Sequence, residues 1–259
     1  MKSKDEISHA MKTRLDIACV ERGLFESRVK AQASIMAGLV KVNGLQADKA
    51  GKTVTEADLI EIAKPDCPYV SRGGLKLKGA VDNYGIDVKD RICLDVGVAT
   101  GGFTDCFLQE GAAKVYAVDV GEGQIHEKIK SHPKVVFIPQ TNARFLKPGL
   151  FPELPELVAI DVSFISLKLI LGPVFESTAP GARVIALIKP QFELEPRDLK
   201  RGIVKDGALR LKAVEGLRKF ISENLRGFTE EGLIESPIKG AKGNVEFLWL
   251  LSKKELKPA

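Results

Sequence analysis

Residues Leu94 to Asp105 read Leu-Asp-Val-Gly-Val-Ala-Thr-Gly-Gly-Phe-Thr-Asp, an apolar run that enters a glycine turn and then a helix. A second apolar run, Lys114 to Gly121, carries Asp119 near its end. In a doubly wound sheet such a turn lets a ligand approach the backbone closely, and an acid one helix later reaches a ribose hydroxyl. Gly97, Gly101 and Gly102 are spaced G-x-x-x-G-G rather than the G-x-G-x-x-G that cradles a pyrophosphate, so the pattern fits a nucleoside ligand without phosphates. Four further residues stand where ligands gather, at strand ends. Asp161 ends Leu157-Val158-Ala159-Ile160, and Lys189 ends Val184-Ile185-Ala186-Leu187-Ile188. Lys76 lies at the start of a leading helix, and Glu246 opens the last apolar run after Gly243-Asn244. Any one of them alone would pass as a chain-end residue reaching water. Lys189 resists that reading best, because Pro190 follows at once and fixes the direction of exit.

The elements that must hold these residues alternate. Apolar strands are expected at 91–96, 114–120, 135–139, 157–162 and 182–189, with helical segments between most of them, and Ser71 to Leu77 opens a helix through about Asn83. That alternation predicts an α/β fold with a mostly parallel sheet. Leu233-Ile234-Glu235 and Glu246 to Leu251 come without a helix between them, which predicts an antiparallel hairpin at one sheet edge.

Upstream, the first sixty-odd residues form a small α+β unit. Thr13 is placed to cap a helix through Val20, closed by Gly23, and Ser27 to cap a second that ends near Gly38. Val40-Lys41-Val42 alternates before an Asn43-Gly44 turn, and Asp58 to Ile62 supplies another strand. Between Ser27 and Ala47 lie Arg28, Lys30 and Lys41 but no acid, a surface that suits a phosphate backbone. Ala63 to Tyr69 holds two prolines and no periodicity, so the domains are set at 1–63 and 71–259 with a linker at 64–70.

The chain has 259 residues, 44% of them hydrophobic, with a formal net charge of +5, which favours an anionic partner only weakly. Cys19, Cys67, Cys93 and Cys106 are scattered and have no histidine at ligand spacing, which argues against a metal site or a disulfide framework and for a reducing cytosol. Met1 to Ala10 has no apolar run and does not read as a signal peptide, and no segment approaches the roughly 20 apolar residues of a membrane span. A cytoplasmic protein without a membrane partner is the expectation. His126 and His132 follow the second strand and lie off the strand ends, a poor place for acid–base groups.

Two resemblances sharpen this. Arg14-Leu15-Asp16, Ser27-Arg28, Ala33, Ile35, Gly38, Val40 to Gly44 and Asp58 are similar to the αL RNA-binding module of a small-subunit ribosomal protein and of pseudouridine synthases. That implies phosphate contacts from Arg28, Lys30 and Lys41, with Arg14 and the linker-end Arg72 beside them; such contacts position RNA rather than read its sequence. Almost the whole chain resembles the TlyA family of ribosomal RNA 2′-O-methyltransferases, often labelled hemolysin A, whose catalytic domain is Rossmann-like and related to FtsJ-type RNA methyltransferases. The marks are Ser71 to Leu77, Asp95-Val96-Gly97 with Thr100 to Asp105, Asp161 to Leu167, Ile188 to Glu193, and Gly243 to Phe247.

The resemblance places a catalytic Lys-Asp-Lys-Glu set on Lys76, Asp161, Lys189 and Glu246, and implies S-adenosylmethionine as cofactor. A ribose 2′-hydroxyl is a poor nucleophile, so a base must take its proton as it attacks the methyl group. The resemblance assigns that base to Lys189, with Lys76 as a neighbouring cation that lowers its pKa and orients the ribose, and with both carboxylates holding the groups in register. Asp95, Gly97, Thr100, Gly101 and Gly102 would serve the cofactor, Asp119 its ribose and Asn142 its adenine. Gln140 stands where the family often has a charged residue, and Val98-Ala99 vary its usual glycine turn. The implied activity is 2′-O-methylation of a cytidine in ribosomal RNA, with ribosomal RNA or subunits as partner. Against it stand an RNA-binding assembly factor with an inactive methyltransferase fold, a hemolysin, which lacks any lytic signal in this sequence, and, more weakly, a dinucleotide oxidoreductase.

Overall fold

The structure is a computed structural model that describes residues 12–36, 39–62 and 67–254. Two compact units meet in sequence between Pro68 and Tyr69.

In the first unit, β1 (Thr13–Arg14) leads directly into α1 (Leu15–Glu21), followed by α2 (Arg28–Met36), β2 (Val40–Val42), β3 (Leu45–Ala47), β4 (Thr53–Val54) and β5 (Ile60–Ile62). β1 pairs with β4, and β2 lies between β3 and β5, all antiparallel. Thr13 does not cap α1. It is drawn into β1 opposite Val54, and the first helical amides are satisfied by the loop before β4: Leu15 N donates to Lys52 O at 2.7 Å and Asp16 N to Ala50 O at 3.1 Å. Ser27 caps α2 through Lys30 N at 3.3 Å, while the expected helix end at Gly38 falls outside the described residues. Asp58 lies in a turn rather than a strand, where its carboxylate accepts from Thr55 N at 2.7 Å and Asn43 Nδ2 at 2.6 Å. Leu15, Cys19, Ala31, Ile35, Val40 and Val54 form the core of this unit.

The second unit runs α3 (Gly73–Tyr84), β6 (Ile92–Val96), α4 (Gly102–Gln109), β7 (Lys114–Val118), α5 (Glu127–Lys130), β8 (Val135–Ile138), β9 (Leu157–Ile160), α6 (Leu171–Glu176), β10 (Arg183–Ile188), α7 (Pro190–Glu193), α8 (Gly207–Asn224), β11 (Phe228–Glu235) and β12 (Phe247–Lys253). The seven strands form one sheet in the order β11-β12-β10-β9-β6-β7-β8, parallel from β10 to β8 and antiparallel through β12 and β11. Strand side chains alternate between the faces. Ile185 and Leu187 pack with Leu77, Phe103 and Phe107 of α3 and α4, whereas Val184, Ala186 and Ile188 pack with Phe175, Leu217 and Trp249. Each fully buried aliphatic side chain contributes about 1.5–3 kcal/mol of transfer free energy, which is why such apolar runs read as central strands.

β12 runs antiparallel to β10 with Ile188 opposite Phe247, so its first residues meet the carboxyl ends of the parallel strands. Among the described residues no helix is long and apolar enough to cross a membrane.

Candidate active site

A cleft of about 1040 Å³ opens beyond the ends of β6, β7 and β9, lined among others by Gly97, Asp119, Asn142, Asp161 and Ser163. Gly97 has a φ of +90°, and a Cβ there would collide with the carbonyl of Asp161, so only glycine lets the turn after β6 close onto the end of β9. Asp119 locks that turn from the other side, accepting from Ala99 N at 2.8 Å and Gly121 N at 2.7 Å. Asn142 borders the cleft and accepts from Arg144 N at 3.1 Å.

Asp95 lies beneath this floor, fully buried. One carboxylate oxygen accepts the Thr104 hydroxyl at 2.6 Å, and Oδ1 finds no partner among the described residues. Burial pushes its pKa up to about 7; the Thr104 bond opposes the shift, and the charges of Asp161 and Asp119 add to it. Asp119 and Asp161 thus line the cleft, with Asp95 buried behind them. Thr100, Gly101 and Gly102, expected at the cofactor, lie outside the cleft lining. Thr100 O accepts from His126 N at 3.1 Å, Gly101 backs onto Ile129, and Gly102 packs against Ser71 and Gly74. That part of the turn is spent on seating α4 against α3 and α5.

The four candidate catalytic residues form two ion pairs. Lys189 Nζ lies 2.6 Å from Asp161 and donates to Ser163 Oγ at 2.9 Å, and Lys76 Nζ donates to Glu246 at 2.6 Å. Each lysine thus has a carboxylate of its own, Asp161 for Lys189 and Glu246 for Lys76. The physical reason is burial: Lys189 is 8% exposed and Glu246 2%, and charges so far from water need partners. Glu246 is seated by Gly240, where a Cβ would occupy the position of the carboxylate itself.

This arrangement has close counterparts. An FtsJ-like methyltransferase family model matches residues 69–253, and an S4 domain model matches 13–60. A Bacillus subtilis protein provisionally named as the rRNA methyltransferase YqxC is 44% identical over 92% of this chain and 84% of its own. The 16S/23S rRNA (cytidine-2′-O)-methyltransferase TlyA of Mycobacterium tuberculosis is 39% identical over 93% of this chain and 90% of its own. The chain belongs to the TlyA family of FtsJ-like methyltransferases. A solved structure from Streptococcus thermophilus that carries the hemolysin label superposes with a TM-score of 0.73 at 41% identity, covering 94% of this chain and 89% of that one.

Other parts of this TlyA-family site were not evident in the sequence. Ser163 holds Lys189. Glu193, in the first turn after Lys189-Pro190, accepts from Ser166 Oγ at 2.5 Å and Leu167 N at 2.8 Å, tying the loop after β9 to the loop after β10; burial raises its pKa. Phe164 stands 92% exposed at the cleft with a φ of +63° and its ring 5.2 Å from that of Phe192. The signal available in the sequence was Ser163-Phe164-Ile165-Ser166 following Asp161 at the end of an apolar strand. His126 and His132 are turn caps, accepting from Lys128 N and Lys134 N at 3.2 Å each.

In the S4 domain the expected cations are less free than the local count suggests. Arg14 and Arg28 both bind the buried carboxylate of Asp16, which Gln32 also reaches at 2.7 Å, and Lys30 pairs with Glu26. Glu26 lies directly before the window from Ser27 to Ala47 and Asp16 further upstream in α1, so a count confined to the window overstated the net charge. Lys41 on β2 is exposed, as is Arg72 at the cap position of α3.

Proposed function

We propose that this protein transfers a methyl group from S-adenosylmethionine to a ribose 2′-hydroxyl of ribosomal RNA, with a cytidine as the target nucleotide. The observation that carries the reading is the pair of buried lysine–carboxylate contacts at the ends of β9 and β10 and the start of β12, beside the cleft at the ends of β6, β7 and β9. The cleft suits the cofactor. Asp119 stands where ribose hydroxyls would bind and Asn142 where adenine would, and the Asp119 and Asp161 carboxylates that line the cleft favour a ligand that carries sulfonium and ammonium charge. When bound, S-adenosylmethionine supplies a methyl group made electrophilic by its sulfonium.

The chain's own residues then handle the proton. Lys189, as the neutral amine, accepts the 2′-hydroxyl proton as the oxygen attacks the methyl carbon and the methyl–sulfur bond breaks, and Asp161 beside it holds the ammonium that forms. Ser163 fixes the direction of its amine, and Lys76, held by Glu246, donates to the ribose and keeps the nucleophile in line. Exposed Phe164 at the mouth offers a face to a base splayed out of structured RNA. The N-terminal module, residues 1–63, joined through 64–70 to a catalytic domain at 71–259, docks the RNA.

The test is to map ribose methylation in ribosomal RNA from cells with the protein, without it, and with Lys189→Ala. One or more 2′-O-methyl marks should vanish in the latter two. An unchanged map would favour an assembly factor instead. Lys189→Arg keeps charge but cannot release a proton, so it should abolish transfer while cofactor binding survives; a fully active arginine variant would remove the base assignment.

A further inference from the structure

In the strand order the cofactor cleft covers β7, β6 and β9, whereas Lys189 and Glu246 come from β10 and β12 on the far side of β9. An RNA strand that presents its ribose to Lys189 without displacing the cofactor lies over the β10–β12 end. Two loops cover that end. Between α7 and α8, Lys200 and Ile203 form an antiparallel bridge that closes a tight turn, with Arg201 (φ +54°) and Gly202 (φ +79°) at its tip. Between β11 and β12, Lys242 (φ +56°) and Gly243 (φ +82°) make a second left-handed tip, one turn away from the Gly240 that seats Glu246.

A buried side chain latches the two loops. Asn244, 3% exposed, accepts from Val204 N at 3.1 Å and donates to Gly202 O at 3.1 Å and Ala241 O at 3.2 Å. The Lys242 ammonium consequently lies 3.5 Å from where a Cβ on Gly202 would stand. Lys200, Arg201, Lys205, Lys239 and Lys242 are all exposed, and none has a carboxylate within ion-pair distance among the described residues. The acids of the first loop are committed elsewhere: Glu195 to Arg197, Asp198 to Lys212, and Asp206 to the first turn of α8 through Ala208 N. The second loop has no acid before Glu246, which faces inward to Lys76. This contrasts with the S4 domain, where three of the expected cations are paired, Arg14 and Arg28 sharing Asp16 and Lys30 with Glu26.

We propose that these latched loops form a phosphate clamp for the RNA strand that carries the target ribose, a second RNA-binding surface built into the catalytic unit. It rests on the RNA-methyltransferase reading. Five exposed cations without an ion-pair partner among the described residues, on two loops latched to one another, attract the phosphates of a nucleic-acid backbone and do not read bases, so the clamp positions the strand rather than selecting its sequence.

The test is the double variant Arg201→Asn, Lys242→Asn. Asparagine tolerates the left-handed backbone, so the tips keep their shape and lose two charges. Binding of purified ribosomal subunits from cells lacking the protein is measured across salt concentrations, alongside methylation kinetics on the same subunits and calorimetric binding of S-adenosylmethionine. The expected result is a salt slope of log affinity that falls by about 2 and a KM for subunits raised about tenfold or more, with cofactor affinity and melting temperature retained. Asn244→Ala, which releases the latch but keeps the charges, should raise KM in the same direction. An unchanged salt slope and KM in the double variant would overturn the clamp, as would failure of the wild-type protein to bind subunits, or a loss confined to binding of anionic phosphatidylglycerol vesicles. Subunits that bind with normal salt dependence but are never methylated would instead count against the methyltransferase reading alone.

Discussion

Replacing Asp95 with asparagine should remove one large pH-dependent contribution to the stability of the larger unit. Asp95 is fully buried, one of its oxygens has no partner among the described residues, and burial raises its pKa from an ordinary 3.8 to about 7. The folded protein therefore holds this proton more tightly than the unfolded chain does. The resulting stabilisation is complete below about pH 4 and is lost as pH rises through 7. A gap of about three pH units corresponds to about 4 kcal/mol in all, of which about 3 kcal/mol disappears between pH 5 and pH 8. Asparagine keeps the shape and cannot ionise, so subtracting its curve cancels every other titrating group. Urea unfolding followed by the fluorescence of Trp249, the single tryptophan and buried in the core of the same unit, reports the relevant transition. Wild type should match or exceed Asp95→Asn at pH 5 and fall below it, relative to that starting difference, by about 3 kcal/mol at pH 8. If the two proteins respond in parallel across that range, the buried-acid argument is wrong.

Three further outcomes follow from the geometry. Gly240→Ala has an ordinary backbone conformation available but puts a methyl group where the Glu246 carboxylate sits, so kcat for methyl transfer should fall about a hundredfold while calorimetric cofactor affinity is kept. Asp16→Ala frees Arg14, Arg28 and Gln32 together and should cost about 2 kcal/mol of S4-domain stability, seen as faster amide hydrogen exchange in α1 and α2. The Arg14 hydrogen bond holds the Asp16 carboxyl well below the usual range, so in wild type this contribution is present above about pH 4 and is lost as pH falls below it. Glu193→Gln retains one of the two bonds to the loop after β9 and should lower kcat several-fold with little change in melting temperature, whereas Glu193→Ala should lower it further; equal rates for both variants would show that the loop needs no tether.

The large unit was readable because its strands are long, apolar and bounded by turn residues; burial on both faces leaves a continuous hydrophobic run that no loop imitates. The small unit was read less well. β1, β3 and β4 are two or three residues long, too short to establish a period, and Thr13 joined a strand because a partner distant in sequence was there to pair with it. Glycines in the turn after β6 could be recognised as special but not assigned: Gly97 faces the cleft, while Gly101 and Gly102 serve the packing of helices.

Residue type and chain position alone singled out Lys76, Asp161, Lys189 and Glu246, because a lysine or carboxylate at the end of an apolar strand needs a reason to be there. Which of them touch was a matter for the sheet. The register of β12 against β10 delivers Glu246 to the carboxyl end of β10, and partner choice then follows from the high cost of leaving a buried charge alone, so each lysine takes a carboxylate. In the same way, local charge counts named the cations of the S4 domain, and only the fold revealed that Asp16 and Glu26 hold three of them, while five cations of the larger unit, on the loops latched by Asn244, are left facing solvent.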